Sequence, residues 1–491
     1  MNILLVATPM LDHVGGNLQP VAMDAVRECP PLGIYLLVGA LADEAHDVKL
    51  VDLVAERTNR LDAHLDALAV ADLVGVGATS MSWPTARDVI GQVRAARPDV
   101  PVVLGGVHPT LFDAFVLGTT GADYVVRGEA ESALRVLCRV LEGDGQLGEV
   151  PNLSWRTADG GIARSPVGPK IAAEALACHP LPAYDRLPMG VYKSLAVESS
   201  RGCGFDCSFC STPYRRSWRG VPPEAFVDRL ESLLPFLDRT RLRTVHVVDD
   251  EFSMNRRRAT SIARLLDRRR LRARLIYDSR ADDLLEPGFV EAIAPHTYQF
   301  LVGAECGYDE GLRRIGKRTT TAMLIEAAGV LARYGLAGRA EFSFILGLPW
   351  ESVAEVERTL DFAAALAEQS GVRVLLNWYC QVPGSRLWDE DRRAQVVHES
   401  LYDDYGFMTD LYLFRSGVKL RPSEVWHIVD RVAASRARLH QANGSHLIEF
   451  ATPSPIADHF PPEGPDENTG LARLRELARP RTRVGIPLRR V

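Results

Sequence analysis

Three cysteines crowd into eight residues, Cys203, Cys207 and Cys210, spaced C-x3-C-x2-C behind a strand-like run at 194–199. Thiolates are the soft ligands that iron–sulfur clusters demand, and such clusters normally take four of them. This motif offers three, and the other five cysteines (Cys29, Cys138, Cys178, Cys306, Cys380) stand alone at long separations. A four-iron cube held by three thiolates keeps one iron open for an outside ligand. Structural zinc is the alternative, but such sites close with four ligands, and no second CxxC or nearby histidine supplies the fourth. A disulfide fits poorly, because nothing marks the chain for an oxidising compartment.

With Phe209 before the last cysteine, the stretch resembles the signature of the radical S-adenosylmethionine (radical SAM) superfamily. That resemblance implies a 4Fe-4S cluster on Cys203, Cys207 and Cys210. The open iron would chelate S-adenosylmethionine (SAM), whose one-electron cleavage gives a 5′-deoxyadenosyl radical that takes a hydrogen from a small-molecule substrate. The electron would come from an external donor such as flavodoxin or ferredoxin. Such chemistry belongs to the cofactor; the protein supplies position and excludes water.

The pattern around the motif says what must hold it. A chain of 491 residues should form two or three domains. Hydrophobic residues at 46% and charged residues at 24% are ordinary for a soluble globular protein. A formal charge of −6 gives no electrostatic case for nucleic acid. Met1 leads straight into an apolar strand-like run without a basic leader, and no apolar run nears the ~20 residues of a membrane span. The expected compartment is the cytoplasm, where thiols stay reduced.

Residues 1–145 alternate short apolar runs (2–7, 47–52, 73–78, 102–104, 124–127) with helical patterns (32–45, 63–71, 85–96, 131–142). That order predicts a doubly wound, Rossmann-like α/β domain with a parallel sheet and a ligand at the carboxyl ends of its strands. Small and polar residues gather at those ends: Thr79-Ser80, Gly105-Gly106-Val107-His108 and Arg127-Gly128-Glu129. No GxGxxG follows the first strand, which argues against a nicotinamide or flavin. With Pro31-Leu32-Gly33, the region resembles the cobalamin-binding domain that precedes many radical SAM domains. The resemblance implies cobalamin contacts from Leu32, Thr79, Ser80, Gly105, Gly106, His108, Gly128 and Glu129. The D-x-H-x-x-G motif that puts a histidine beneath cobalt in cobalamin mutases is absent, since Asp12-His13-Val14-Gly15-Gly16 has its letters at the wrong spacing. The implied cobalt therefore has no histidine below it. A Rossmann-like domain without a cofactor is the other reading.

Residues 146–190, rich in Gly, Pro and Ala, read as a linker with a hairpin around Asp159-Gly160-Gly161. From 191 to 395, strand-like runs (194–199, 244–248, 274–278, 299–304, 340–346, 372–379) resume between helical patterns such as 223–237, 256–269 and 354–368. Six βα units are too few to close an eight-stranded barrel; they predict a partial (β/α)6 barrel, the usual radical SAM core. Its strand ends supply the expected SAM contacts, beside Phe209. Asp250 and Glu251 would accept hydrogen bonds from an ammonium or ribose hydroxyls, and Arg280 would grip a carboxylate bidentately. Gly303-Ala304-Glu305-Cys306-Gly307 resembles the family's G-x-E-S-G element, making Glu305 a SAM contact that joins the three cysteines in the catalytic set. Leu346-Gly347 resembles the turn beside the adenine. Cys306 reads as a small buried residue rather than a cluster ligand. Helix capping or a solvated rim is the plain structural alternative for these acids.

Beyond 395 strand alternation is expected to stop. Residues 396–491 read as a helical C-terminal region with an amphipathic helix at 422–441, approached by Tyr402, Tyr405, Phe407, Tyr412 and Phe414. A tail from Leu471 carries seven arginines against one glutamate. Taken together the pattern resembles the cobalamin-dependent radical SAM family. The expected activity is methyl transfer to an unactivated carbon of a small, secondary-metabolite-like molecule. The alternative is an oxidative cyclisation or ring rearrangement that uses cobalamin without methyl transfer. Either requires the two sites to meet, so Thr79, Gly105 and Gly106 are expected to line one cavity with Cys210 and Glu305.

Overall fold

The computed structural model describes residues 1–14, 17–20, 28–42, 44–380, 382–393, 399–403, 405, 418–443 and 448–451. The chain opens with β1 (Asn2–Ala7), a hairpin of β2 (Leu11–Val14) and β3 (Asn17–Pro20), then β4 (Asp47–Asp52), β5 (Leu73–Gly77), β6 (Val102–Gly105) and β7 (Tyr124–Val126). β1, β4, β5, β6 and β7 pair in parallel as predicted, with helices such as Leu32–Leu41 and Trp83–Ala96 between them. Burial on both faces explains why Ile3-Leu4-Leu5-Val6 is continuously apolar rather than alternating. From β1 the chain steps to β4 on one side and to β5 on the other, so the topological switch lies between β1 and β5.

The linker does more than cross. β8 (Leu153–Arg156) and β9 (Ile162–Arg164) form the expected hairpin, with Gly160 at φ 83° in the turn, and extend the sheet antiparallel to β7. Downstream, Tyr192 and Tyr35 both donate to Asp52, at 2.7 and 2.8 Å, tying the second domain's approach to the first domain.

The second sheet runs through β10 (Ser194–Val197), a two-residue ribbon of β11 (Ser200–Arg201) and β12 (Arg219–Gly220) set apart from it, then β13 (Thr244–Val247), β14 (Leu275–Ser279), β15 (Thr297–Glu305), β16 (Ala340–Leu346) and β17 (Arg373–Trp378). These six long-range strands are the predicted partial barrel. A seventh, β18 (Ile448–Ala451), adds parallel to β17, which corrects the expectation that strands stop at 395. Four residues carry too short a pattern to stand out in a polar C-terminal region. Helix Pro422–Asn443 matches the predicted amphipathic helix. Tyr402 packs with Trp388 against Trp83 and Phe112 of the first domain, and Tyr405 takes a hydrogen bond from Asn59 there. Phe407, Tyr412, Phe414 and the arginine-rich tail lie outside the described residues. Among the described residues no helix is long and apolar enough to cross a membrane.

Candidate functional site

The three cysteines sit on the loop 202–218, which the ribbon β11/β12 closes at its base through Ser200–Gly220 and Arg201–Arg219 pairing. Two acids at the end of β13, the buried Asp249 and the exposed Asp250, brace that base. Asp249 accepts from the backbone N–H and hydroxyl of both Ser199 and Ser200, at 2.5–3.0 Å. Asp250 accepts from Gly202 N–H and Thr212 Oγ1–H, each at 3.0 Å, so one carboxylate holds both ends of the cysteine stretch. Gly202 is required here: at φ 84°, a Cβ would sit 2.1 Å from Ser217 O. Ser208 N–H donates to Ile315 O at 2.9 Å, and Cys207 Sγ lies 3.9 Å from Gly316 O, resting the loop on the turn after helix Asp309–Ile315.

Burial pushes the Cys203 thiol up to about 11 and raises Cys207 as well. Bare thiolates are thus disfavoured, while a bound metal deprotonates its thiol ligands outright. Lys317 and Arg280 stand close enough to favour a Cys207 thiolate, which suits an anionic cluster. Among the described residues no three His, Cys, Asp or Glu groups converge on a single ion; thiolates on separate corners of a cube need not do so. The three cysteines fit a cluster.

The other strand ends are placed as follows. Glu305 closes β15 at φ 65°, beside a register shift between Gly303 and Glu305, and its Oε1 lies 2.7 Å from Lys317 Nζ. A left-handed non-glycine residue costs of order 1–3 kcal/mol and persists where surroundings over-determine it. Lys317 went unnoticed in the sequence because twelve residues separate it from its partner. Arg280 stands at its predicted strand end, but its guanidinium hydrogen-bonds Asp282, Lys317 O and Thr319 Oγ1 and stacks 3.8 Å over Phe205 of the cysteine loop. Two of its three nitrogens are thereby engaged within the protein. Glu251, buried, accepts from Ser253, which also contacts Asp283; burial and then Asp283 push Glu251 up to about 8. Leu346 is wholly buried in the core, so the turn it starts, Gly347-Leu348, presents backbone rather than a side chain. Glu351 caps that turn, accepting from both N–H groups at 2.8 and 2.9 Å. Phe209 is half-buried against the barrel core, and Cys306 is fully buried, as expected.

A cavity of about 550 Å³ opens at the carboxyl ends of β1, β5, β6 and β7, across the topological switch. Sites for small molecules and cofactors run to roughly 300–1,000 Å³. Leu32, Thr79, Gly105, Gly106, Gly128 and Glu129, the residues expected at a corrin, line it, with Thr8, Ser82 and Thr110 beside them. A Cβ on Gly33 or Gly105 would meet nothing within 4 Å; these glycines leave a cradle that larger residues would fill. The residues present fit a bulky ligand that approaches backbone.

Ser80 and His108, expected as cobalamin contacts, do not line this cavity. His108 is fully buried, stacked 4.6 Å from Trp83 with Phe112 and Tyr402 at its edges, and its Nδ1 pairs with Ser80 Oγ at 3.1 Å. His108 lies in helix Val107–Leu111, which begins right after Gly106 and buries the imidazole.

The opposite wall of the cavity belongs to the barrel domain: Glu198, Arg201, Pro213, Tyr214 and Val248. Cys210 and Glu305 themselves are not in that wall, so the predicted single cavity is corrected to two neighbouring sites. Pro213 and Tyr214 follow Cys210 directly in the same loop, and Tyr214 Oη lies 3.2 Å from where a Gly128 Cβ would be.

Known proteins agree with this division. The family model of a B12 binding domain matches residues 19–138, and that of the radical SAM superfamily matches 197–363. An uncharacterised methyltransferase of Pyrococcus horikoshii is 31% identical over 376 residues, covering 73% of this chain and 78% of that protein. The anaerobic magnesium-protoporphyrin IX monomethyl ester cyclase of Synechocystis is 25% identical over 360 residues, covering 70% and 68%. Among solved structures, the radical SAM methyltransferase TsrM of Kitasatospora setae, with cobalamin and a [4Fe-4S] cluster bound, superposes with a TM-score of 0.66 at 18% identity, covering 97% of this chain and 99% of that one. With its two matched domains in this order and its two sites abutting, the chain is a member of the cobalamin-dependent radical SAM family of enzymes.

Proposed function

We propose that this enzyme methylates an unactivated carbon of a small molecule, using cobalamin, SAM and a 4Fe-4S cluster reduced by an external donor such as flavodoxin or ferredoxin. One observation carries the reading: the glycine-lined cavity is walled on its far side by Pro213 and Tyr214, the continuation of the cysteine loop. Group transfer needs reacting atoms within about 3–3.5 Å, and this adjacency is what such transfer requires. When bound, these groups supply a transferable methyl group and a radical able to take hydrogen from carbon. Cys203, Cys207 and Cys210 would hold the cluster. Glu305, oriented by Lys317, would receive the SAM ammonium, and the capped Gly347-Leu348 turn would present backbone to the adenine. Leu32, Gly105, Gly106 and Thr79 would cradle the corrin, while Tyr214 would cover its barrel side against water.

The likeness to the Synechocystis cyclase favours a second reading, cyclisation or rearrangement without methyl transfer. One experiment separates them. Reduced, reconstituted enzyme is incubated with candidate substrates while S-adenosylhomocysteine and 5′-deoxyadenosine are followed together. Methyl transfer yields both in equal amounts; 5′-deoxyadenosine without S-adenosylhomocysteine, alongside a converted substrate, defeats the methyltransferase reading.

A further inference from the structure

The ribbon that closes the cysteine loop carries two arginines on facing positions, Arg201 and Arg219. Both reach out of the barrel domain to one oxygen of the first domain: Glu129 Oε1 lies 3.1 Å from Arg201 Nη1 and 2.8 Å from Arg219 Nη1. Glu129 Oε2 accepts from Ile171 N–H at 2.7 Å, which fixes the carboxylate's rotation. Arg201 also forms a two-pronged pair with Glu198, at 2.8 Å on each side, and meets Glu131 at 2.5 Å. The side chains of this network are 8–14% exposed. Charged groups so shielded from water are held by geometry, because bidentate guanidinium–carboxylate pairs are directional.

Glu129 belongs to two structures at once. It lies in the wall of the glycine-lined cavity, and it anchors the ribbon from which Cys203 hangs two residues beyond Arg201. Tyr214 repeats the connection: its hydroxyl closes on Gly128, its ring lies 4.9 Å beneath Arg219, and its carbonyl accepts from Cys203 N–H at 3.3 Å.

We propose that Glu129 is a positioning residue that couples the two cofactor sites. A corrin against the 128–131 stretch restricts Glu129, and through the shared arginines it sets the ribbon and the first cysteine. Coupling of binding is reciprocal, so SAM at the cluster must tighten cobalamin by the same factor that cobalamin tightens SAM. The proposal goes beyond the choice between methyl transfer and cyclisation, since both use the same pair of sites.

The test uses the anaerobically reconstituted full-length enzyme and S-adenosylhomocysteine as the non-cleavable probe. Its dissociation constant is measured by calorimetry with and without hydroxocobalamin. In the unaltered enzyme cobalamin should tighten the probe by about 5–150-fold, the usual span of such couplings. In Glu129→Gln, which keeps the shape and loses the charge, the ratio should fall to near one while iron per chain is retained. The Mössbauer spectrum of the oxidised, 57Fe-loaded cluster should shift on hydroxocobalamin addition in the unaltered enzyme and stay fixed in the variant. If Glu129→Gln does not assemble its cluster, Arg219→Lys serves, with the same fall expected. A ratio near one in the unaltered enzyme, or an undiminished ratio in a cluster-bearing variant, overturns the proposal. Equal weakening of both cofactors at constant ratio marks a merely structural contact and overturns it too. A chain that binds no cobalamin in any form defeats the proposed function as well, whereas a fully loaded enzyme with independent sites defeats the coupling alone.

Discussion

Lys317 Nζ lies 2.7 Å from Glu305 Oε1, and both side chains are 9% exposed. Burial is the largest single influence and pulls the ammonium's pKa down, but the charge and hydrogen bond of Glu305, joined by Cys207, together outweigh it and hold Lys317 above the ordinary lysine range. The pair sits beside Cys207, where its cation favours thiolate and its anion opposes it. Removing one partner of a buried pair leaves an uncompensated charge, at a cost of about 3–5 kcal/mol. Lys317→Met should therefore destabilise the cluster-free protein by roughly that amount. The double variant Lys317→Met/Glu305→Gln should recover much of it. Denaturant unfolding of the four proteins of this cycle is the check; a Lys317→Met variant as stable as the parent would contradict the buried-pair argument.

The buried acids of the barrel predict a pH dependence. Ser253 Oγ lies 2.6 Å from Glu251 Oε1, 2.8 Å from Asp283 Oδ2 and 2.8 Å from Ser279 Oγ. Two serine hydroxyls supply two hydrogens for these three contacts, so a carboxyl must supply the third. Burial, then the neighbouring Asp283, lifts Glu251 to about 8, and burial lifts Asp283 to about 6. A folded-state pKa above the unfolded value near ~4.3 means the folded chain binds more protons between the two. The associated stability is present in full below the unfolded pKa and is lost as pH rises through the folded one. Relative to Glu251→Gln, the parent should lose on the order of 3 kcal/mol between pH 5 and pH 8. Stability measured across that range in both proteins decides it, and a constant difference would sink the protonated-carboxyl account.

How much of this was legible in the sequence depends on distance along the chain. Cys203, Cys207 and Cys210 announce themselves because one loop must supply all three. Gly105 and Gly106 could be read because glycines after an apolar run mark a place where backbone meets ligand. Six barrel strands and five of the first sheet were likewise visible as local periodicity. His108 misled, since a polar residue after a glycine pair has no local mark that a short helix will turn it inward. Pairs that are made only by the fold stayed hidden: Arg201 with Glu129, 72 residues apart, and Trp83 Nε1 with Asp403, 320 residues apart.

Adjacent glycines should behave oppositely. Gly106 adopts φ 102° and ψ −176°, and an added Cβ would lie 2.3 Å from Ala78 O. Only glycine tolerates that region, so Gly106→Ala should cost of order 1–3 kcal/mol or more of stability. Gly105 lies in β6 with open space where its Cβ would be, and it lines the cavity. A β-branched side chain suits a strand, so Gly105→Ile should keep its thermal midpoint while it loses cobalamin. Melting curves and cobalamin titration on both variants test the contrast. An isoleucine variant that binds cobalamin as the parent does would remove this cavity from consideration as the corrin site.

The state of the cobalt follows from where the histidines are. His108, the one histidine predicted near the corrin, is fully buried behind the wall, in a nest of Trp83, Phe112 and Tyr402. Burial pushes its imidazole down to about 3, so it stays neutral and could in principle donate a lone pair to a metal. Its Nδ1 is taken by the Ser80 hydroxyl, its ring is stacked on Trp83, and the imidazole lies outside the cavity wall. No histidine is found among the described residues that line the cavity. Paramagnetic resonance of the Co(II) enzyme should therefore show eight cobalt lines without the threefold splitting that an axial nitrogen imposes. His108→Phe, which preserves the aromatic packing, should leave that spectrum unchanged and the cobalamin stoichiometry intact. Triplet splitting in the parent that vanishes in His108→Phe would mean that the imidazole reaches cobalt after all, and that helix Val107–Leu111 rearranges when the corrin binds.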